Sequence, residues 1–292
     1  MIKVLITGID SFTGAYLKTC LTMAKYDVYG TSVKNISDKV SICDIKDKQQ
    51  IKSVLEKVKP EFIIHLSGIS FAAHDKNDDF YAINTVGTTN LLESVIELNL
   101  NIQKIILASS ATVYGNQGLE VLDESLHPKP SNHYGMSKYA MECLARNYFD
   151  KLPIIIARPF NYTGIGQADH FLIPKIVKHY REKKSTIELG NLDVAREFNS
   201  VEDVCDIYKR LLESDIHSEI VNICSGKGIK LLDVIDIMNE IAGYKMNIKV
   251  NPLFVRKGEI KTLTGSKVKL EKLLGNIKFR KMRDILSEIF IQ

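Results

Sequence analysis

Along the first half of the chain, short apolar runs take turns with segments whose apolar positions recur at helical spacing. "IKVLIT" opens at Ile2 and leads into a helical stretch from Tyr16 to Ala24; "DVYGTSV" follows, then a helix near Ile51 to Val58, then "FIIHLS". The alternation continues through a long helical pattern near Tyr81 to Leu98, "KIILAS", a helix near Tyr134 to Phe149, and "IIIARP". Runs that are apolar throughout, such as Ile154 to Ile156, suit strands covered on both faces. Strand and helix in alternation predict an α/β fold with a doubly wound parallel sheet of Rossmann type. After Pro159 the pattern loosens and turn residues gather in "NYTGIGQ" and "LGNLD". The expected division is a sheet domain over 1–160 and a smaller C-terminal domain over 161–292. A segment near 199–225, carrying "NSVEDVCDIYKRLL" and "IVNICSG", is expected to return to the sheet.

Composition narrows the class of function. With 292 residues, 45% of them hydrophobic, the chain can bury a large core. The net charge of +4 arises from intermixed acids and bases, and the densest basic run is short, Lys183 and Lys184 in "REKKS". That reads as a solvated helix face, and no nucleic-acid partner is expected. Five cysteines (Cys20, Cys43, Cys143, Cys205, Cys224) have no CxxC spacing, so they are expected as buried small hydrophobes in a reducing compartment. A first strand from Ile2 and the lack of a long apolar run predict a soluble cytoplasmic protein without a signal peptide or membrane partner. No histidines and carboxylates have metal-ligand spacing, so no metal is expected.

The turn after the first apolar run carries the first candidate chemistry. Gly8 follows the strand, Gly14 opens the helix, and Asp10, Ser11, Phe12 and Thr13 lie between them. Backbone amides and a helix N-terminus at such a turn can hold a pyrophosphate, so the first domain is expected to bind a dinucleotide. Ser11 stands where a middle glycine is usual, and its hydroxyl is a candidate phosphate contact. NAD-binding folds place an acid about 20 residues further on, at the end of the second strand, for the ribose hydroxyls. Here that stretch is "GTSVKN", with Thr31, Ser32 and Lys34 and no acid. NADP(H) is therefore expected in preference to NAD(H), which stays possible, with Ser32 and Lys34 near a 2′-phosphate. Asp44 and Ile45 in "CDIKD" are expected to flank the adenine, and Leu66 and Ser67 at the end of "FIIHLS" to border the cofactor.

The second constellation is "HYGMSKYAM", where Tyr134 and Lys138 stand four apart and share a helix face. A nearby ammonium favours the phenolate, lowering a phenol's pKa toward neutrality and fitting it for proton exchange. Upstream, "LASSATVYG" places Ser109 and Ser110 at a strand end, where a hydroxyl can serve the same substrate oxygen. His65 reads as a hydrogen-bonded ring near the sheet edge, and Tyr114 and Phe160 as packing residues lining the pocket.

Taken in order, "TGIDSFTG", "SSATVYG", "YGMSK" and "ARPFNYTGIGQ" resemble the extended short-chain dehydrogenase/reductase family of nucleotide-sugar enzymes over nearly the whole chain. "LGNLDVAREF", "SVEDV" and "NPLFVRKGEIKTLTGSKVKL" are similar to its branch of GDP-mannose 4,6-dehydratases and GDP-4-keto-6-deoxy-sugar reductases. The resemblance implies a nucleotide-sugar substrate, GDP-linked, bound mainly by the second domain. Asn161 would contact the sugar, Arg196 the diphosphate, and Arg256 with Glu259 the nucleotide end, with Asn191 and Leu192 also lining the substrate site. It also implies Ser110, Tyr134 and Lys138 as the catalytic trio, a homodimer formed by two helices, and a place in polysaccharide sugar synthesis. Ser11 for glycine, Val33 where NADP-dependent relatives often carry arginine, and Lys257 for a proline depart from the pattern. Dehydratases of the family keep a carboxylate two residues after the serine or threonine, whereas Ala111 and Thr112 follow Ser110 here. Elimination would lack its proton carriers. The expected reaction is NADPH-dependent reduction of the C4 ketone of a 4-keto-6-deoxy sugar. An NAD-dependent 4-epimerase, which shares "SSATVYG", is the alternative, and a silent dinucleotide sensor ranks below both because the Tyr and Lys pair is present.

Overall fold

The computed structural model describes residues 1–70, 76–255 and 260–292. The first half runs β1 (Lys3–Thr7), α1 (Phe12–Met23), β2 (Asp27–Ser32), β3 (Val40–Ile42), α2 (Lys48–Val58), β4 (Phe62–His65), α3 (Asn77–Asp79), a π-helical turn (Phe80–Val86), α4 (Gly87–Glu97), β5 (Lys104–Ala108), α5 (His133–Arg146) and β6 (Ile154–Pro159). Next come β7 (Tyr162–Thr163), α6 (Leu172–Arg181), β8 (Thr186–Leu189), β9 (Ala195–Arg196), β10 (Asn199–Ser200), α7 (Val201–Glu213) and β11 (Glu219–Ile223). The chain closes with β12 (Ile229–Lys230), α8 (Leu231–Ala242), β13 (Asn247–Val250), β14 (Thr262–Leu263), α9 (Val268–Leu274) and α10 (Met282–Ile291).

Seven of these strands form one sheet in the order β3, β2, β1, β4, β5, β6, β11, and every pairing in it is parallel. Both faces are covered, which is why the strands carry no polar alternation. Val4 and Ile6 of β1 pack with Leu17 and Leu21 of α1 and with Val204, Tyr208 and Leu211 of α7. Leu5, between them, faces the other way, toward Ile51 and Leu55 of α2, Leu91 and Val95 of α4, and Met141 of α5. The fold is the doubly wound parallel sheet that the alternation predicts.

Beyond β6 the chain does two things. It returns α7 and β11 to the sheet, β11 pairing with β6. It also builds a third core in which Ile176 and Tyr180 of α6, Val234 and Met238 of α8, and Leu286 of α10 close over Ile187 of β8. β9 pairs with β12 and β14 in a small sheet of its own.

Three local expectations need correction. Of the five cysteines expected to be buried, Cys20 is half-buried and Cys143 exposed, because α5 turns that position outward. His65 ends an interior strand, between β1 and β5, and not an edge strand. Tyr114 and Phe160 are fully buried in a small fourth core and line no open pocket, their exposures being 0% and 1%.

Candidate active site

Parallel strands end together, and here the ends of β1, β4 and β5 face the start of α5. Asn132 caps α5, its side chain accepting from the Gly135 amide at 2.8 Å, which fixes where the helix begins. Tyr134 then falls in the first turn and Lys138 one turn later. Lys138 is 6% exposed and its Nζ donates to the Ala108 carbonyl at the end of β5, 2.7 Å away. The Ser110 side chain lies near enough to the Tyr134 phenol to pull its pKa down, and its hydroxyl is hydrogen-bonded to the Thr112 hydroxyl. It also caps the short turn Ala111–Tyr114, accepting from Thr112 N at 3.2 Å. The two serines of "SSATVYG" thus part company: Ser109 is buried and donates to Glu142 Oε1 at 2.5 Å, leaving Ser110 beside the phenol.

Burial sets the charge states. It pushes the Tyr134 phenol above its ordinary pKa, although Ser110 pulls the other way. The lowering expected from Lys138 is not found: desolvation sets the direction, and the group that opposes it is Ser110. Burial likewise pulls Lys138 down to about 8, against the nearby carboxylate of Glu142, which favours its charge. His65 is held near 3 first by burial and then by the Lys138 charge. Its two ring nitrogens lie 2.8 Å from Thr7 Oγ1 and 2.9 Å from Thr88 Oγ1, so the ring is fully used in tying β4 to its neighbours.

Several residues that the sequence did not single out fix this arrangement. Asn84, in the π-helical turn, accepts from Ile69 N at 2.8 Å and donates to Ser137 Oγ at 3.0 Å, joining the segment after β4 to α5. A Cβ at Gly68 would lie 2.7 Å from Asn84 Oδ1 and 3.3 Å from Lys138 Nζ, so a larger residue there would displace one of these side chains. Arg158 of β6 grips Glu142 of α5 through two hydrogen bonds of 2.9 and 2.6 Å, with both side chains at most 1% exposed. Partners this far apart in sequence leave no mark in a local pattern.

The glycine turn has the shape a pyrophosphate requires. Gly8 has φ +68°, and a Cβ at Gly14 would lie 2.5 Å from the Gly8 carbonyl oxygen, so the turn closes tightly only with glycine at both ends. The N-terminus of α1 has no acidic residue in its first turn, and a cleft of about 510 Å³ opens over Asp10, Ser11 and Phe12. An anion fits there. The Ser11 hydroxyl caps α1, accepting from Gly14 N at 3.1 Å, and keeps its own proton to donate. Thr13 is buried and its hydroxyl lies 2.7 Å from the phenol of Tyr162, while the Phe12 ring stacks on Tyr162 at 6.3 Å. Thr7 Oγ1 accepts from the amides of Leu66 and Ser67, each at 3.1 Å, seating both beside the turn.

The end of β2 differs from its expectation. "GTSVKN" has no acid, but Asp10 brings one from the glycine turn: Ser32 Oγ donates to Asp10 Oδ2 at 2.7 Å and Asn35 Nδ2 does so at 3.2 Å. Ser32 is buried and accepts from the Lys34 and Asn35 amides, so its hydroxyl is saturated. Lys34 is exposed. Asp44 binds within its own loop, accepting from Lys46 N at 3.0 Å, and Ile45 is buried against Gly87.

In the second half, Asn161 is exposed and its carbonyl accepts from Asn199 N at 2.9 Å. Asn191 and Leu192 are half-buried before β9, Leu192 packing on the third core. Arg196, on β9, donates to the carbonyls of Ala195 and Lys261 at 2.8 and 3.1 Å. Arg256 and Glu259 lie outside the described residues. Among the described residues, no three His, Cys, Asp or Glu side chains cluster as metal ligands would, and no helix is long and apolar enough to cross a membrane.

The sequence profile described as GDP-mannose 4,6 dehydratase matches residues 5–289. The chain belongs to that family. Within the GDP-mannose 4,6 dehydratase family it is 41% identical to a GDP-6-deoxy-D-talose 4-dehydrogenase from Aggregatibacter actinomycetemcomitans, over 99% of this chain and 97% of the relative. It is 30% identical to a GDP-6-deoxy-D-mannose reductase from Pseudomonas aeruginosa, over 94% of this chain and 91% of the relative. Among solved structures, RMD from Pseudomonas aeruginosa in complex with NADPH superposes with a TM-score of 0.87 at 26% identity, covering 100% of this chain and 97% of that one. The chain is an NAD(P)-dependent oxidoreductase acting on a nucleotide sugar, in line with the resemblance read from its motifs.

Proposed function

We propose that the protein reduces the C4 ketone of a GDP-linked 4-keto-6-deoxyhexose. The observation that carries this reading is the arrangement at the sheet's C-terminal edge, where Ser110 acts on the Tyr134 phenol and Lys138, one turn further along α5, anchors its ammonium on the Ala108 carbonyl. A nicotinamide dinucleotide bound at the glycine turn would supply the hydride. Tyr134 gives its proton to the C4 oxygen, Ser110 donates a hydrogen bond to that same oxygen, and the Lys138 ammonium steadies the phenolate left behind and orients the nicotinamide ribose. The raised pKa of Tyr134 suits reduction, in which the phenol starts as the acid.

For the sugar and diphosphate the family motifs favour Asn161, Asn191, Leu192 and Arg196, with Arg256 and Glu259 at the nucleotide end. The GDP assignment rests on the names of the two relatives. Talose and mannose differ at C4, so oxidation at C4 of either 6-deoxy sugar gives one common ketone. The pose of that ketone against the nicotinamide selects the product. A homodimer built on α4 and α5 belongs to the same reading: Val86 and Ile96 around α4, and Met136 and Leu144 on α5, are exposed.

The test is to mix the protein with the GDP-4-keto-6-deoxy sugar and reduced cofactor and to follow the cofactor's near-ultraviolet absorbance. Consumption of one cofactor per ketone is expected. Interconversion of C4 epimers without net consumption would establish the epimerase alternative instead, and binding without turnover would leave only a sensor.

A further inference from the structure

The reading above needs a dinucleotide at the glycine turn, and on that footing we infer that Asp10 selects NAD(H) over NADP(H). Asp10 sits on the ridge between two clefts. One, of about 510 Å³, lies over the α1 N-terminus and residues such as Ile69, Ser70 and Ile165; the other, of about 620 Å³, runs between α1 and the β2–β3 turn past Lys18, Asn35 and Val40. A dinucleotide whose pyrophosphate rests on that N-terminus and whose adenosine lies toward β2 must carry its adenine ribose past this ridge.

What the ribose meets there is an acceptor that is already oriented. Two donors from the end of β2, the Ser32 hydroxyl and the Asn35 amide, hold the Asp10 carboxylate in place. A carboxylate held this way still has lone pairs for a ribose hydroxyl. It repels a 2′-phosphate, which carries up to two negative charges. The hydroxyl of Ser32, which would have to hydrogen-bond that phosphate, already donates to Asp10. The cations on hand are Lys18 and Lys34, both exposed, and an exposed ammonium offsets little of a repulsion at contact range. The absence of an acid from "GTSVKN" therefore misleads, because the acid reaches the same place from the preceding turn.

The experiment titrates the protein, without sugar, with NADH and with NADPH, reading nicotinamide fluorescence and checking by calorimetry. Wild type is expected to bind NADH at least tenfold more tightly. Asp10→Asn and Asp10→Ser are expected to narrow or reverse that ratio at least tenfold, chiefly by tightening NADPH, with an unchanged circular dichroism spectrum. Wild type that binds NADPH as tightly as NADH, or a ratio unmoved in both well-folded variants, overturns the role of Asp10 while leaving the dinucleotide site standing. Failure of both cofactors to bind overturns the dinucleotide reading and the inference together.

Discussion

Tyr134 and Lys138 are both driven toward their neutral forms, one by a raised pKa and the other by a lowered one. In the reductive direction this leaves the phenol able to give its proton, while the ammonium begins to be lost near pH 8. A rate that depends on that ammonium should be level below about 8 and fall above it, and Lys138→Arg should carry the falling limb to higher pH in a kcat/KM profile. Tyr134→Phe is expected to lower kcat by roughly 10²- to 10⁴-fold with little change in cofactor affinity, measured by equilibrium titration. At this scale the spacing of Tyr134 and Lys138 was legible, because four residues along a helix make one face. The order of their pKa shifts was not, since it depends on how deeply the fold buries them. Nor was Asp10 legible as a neighbour of Ser32, which lies 22 residues away.

Helix α5 is held from two sides. Glu142 ties it to Arg158 of β6, and Ser137 ties it to Asn84 of the π-helical turn. Glu142→Gln leaves Arg158 as a buried charge without a counter-ion and should cost about 3–5 kcal/mol of stability, read from urea unfolding. Gly14→Ala sets a methyl group against the carbonyls of Gly8 and Ile9, 2.5 and 2.7 Å away. It is expected to weaken cofactor binding and to lower stability by about 1–3 kcal/mol. The elements themselves could be read from periodicity, with ends that differ for physical reasons. Helix α1 starts at Phe12, ahead of its first clear apolar stripe, because the Ser11 cap fixes its start. The long pattern from Tyr81 to Leu98 contains a π-helical turn that no hydrophobic period reveals.

For the molecule as a whole, the doubly wound parallel sheet followed from alternation, since a parallel sheet covered on both faces leaves few other ways to bury such strands. The build of the second half did not, because its short strands pair across long separations and its motifs spoke only through resemblance. One property belongs to the sheet as a unit. His65 is neutral in the folded protein down to about pH 3, while in the unfolded chain it takes a proton below about 6.5. Its contribution to stability is therefore intact above that range and is lost as pH falls through it, by about 2 kcal/mol at pH 5. His65→Gln should flatten that part of the stability profile, measured by the urea midpoint from pH 7 to 4.

The proton-handling groups all stand on the sheet and on helices clamped to it, whereas α6, α8 and α10 close a core of their own. If that separate core seats the sugar, as proposed, recognition and catalysis rest on separate foundations. A different sugar preference could then be grafted onto it, by a lineage or by an engineer, while the acid chemistry on the sheet stays as it was.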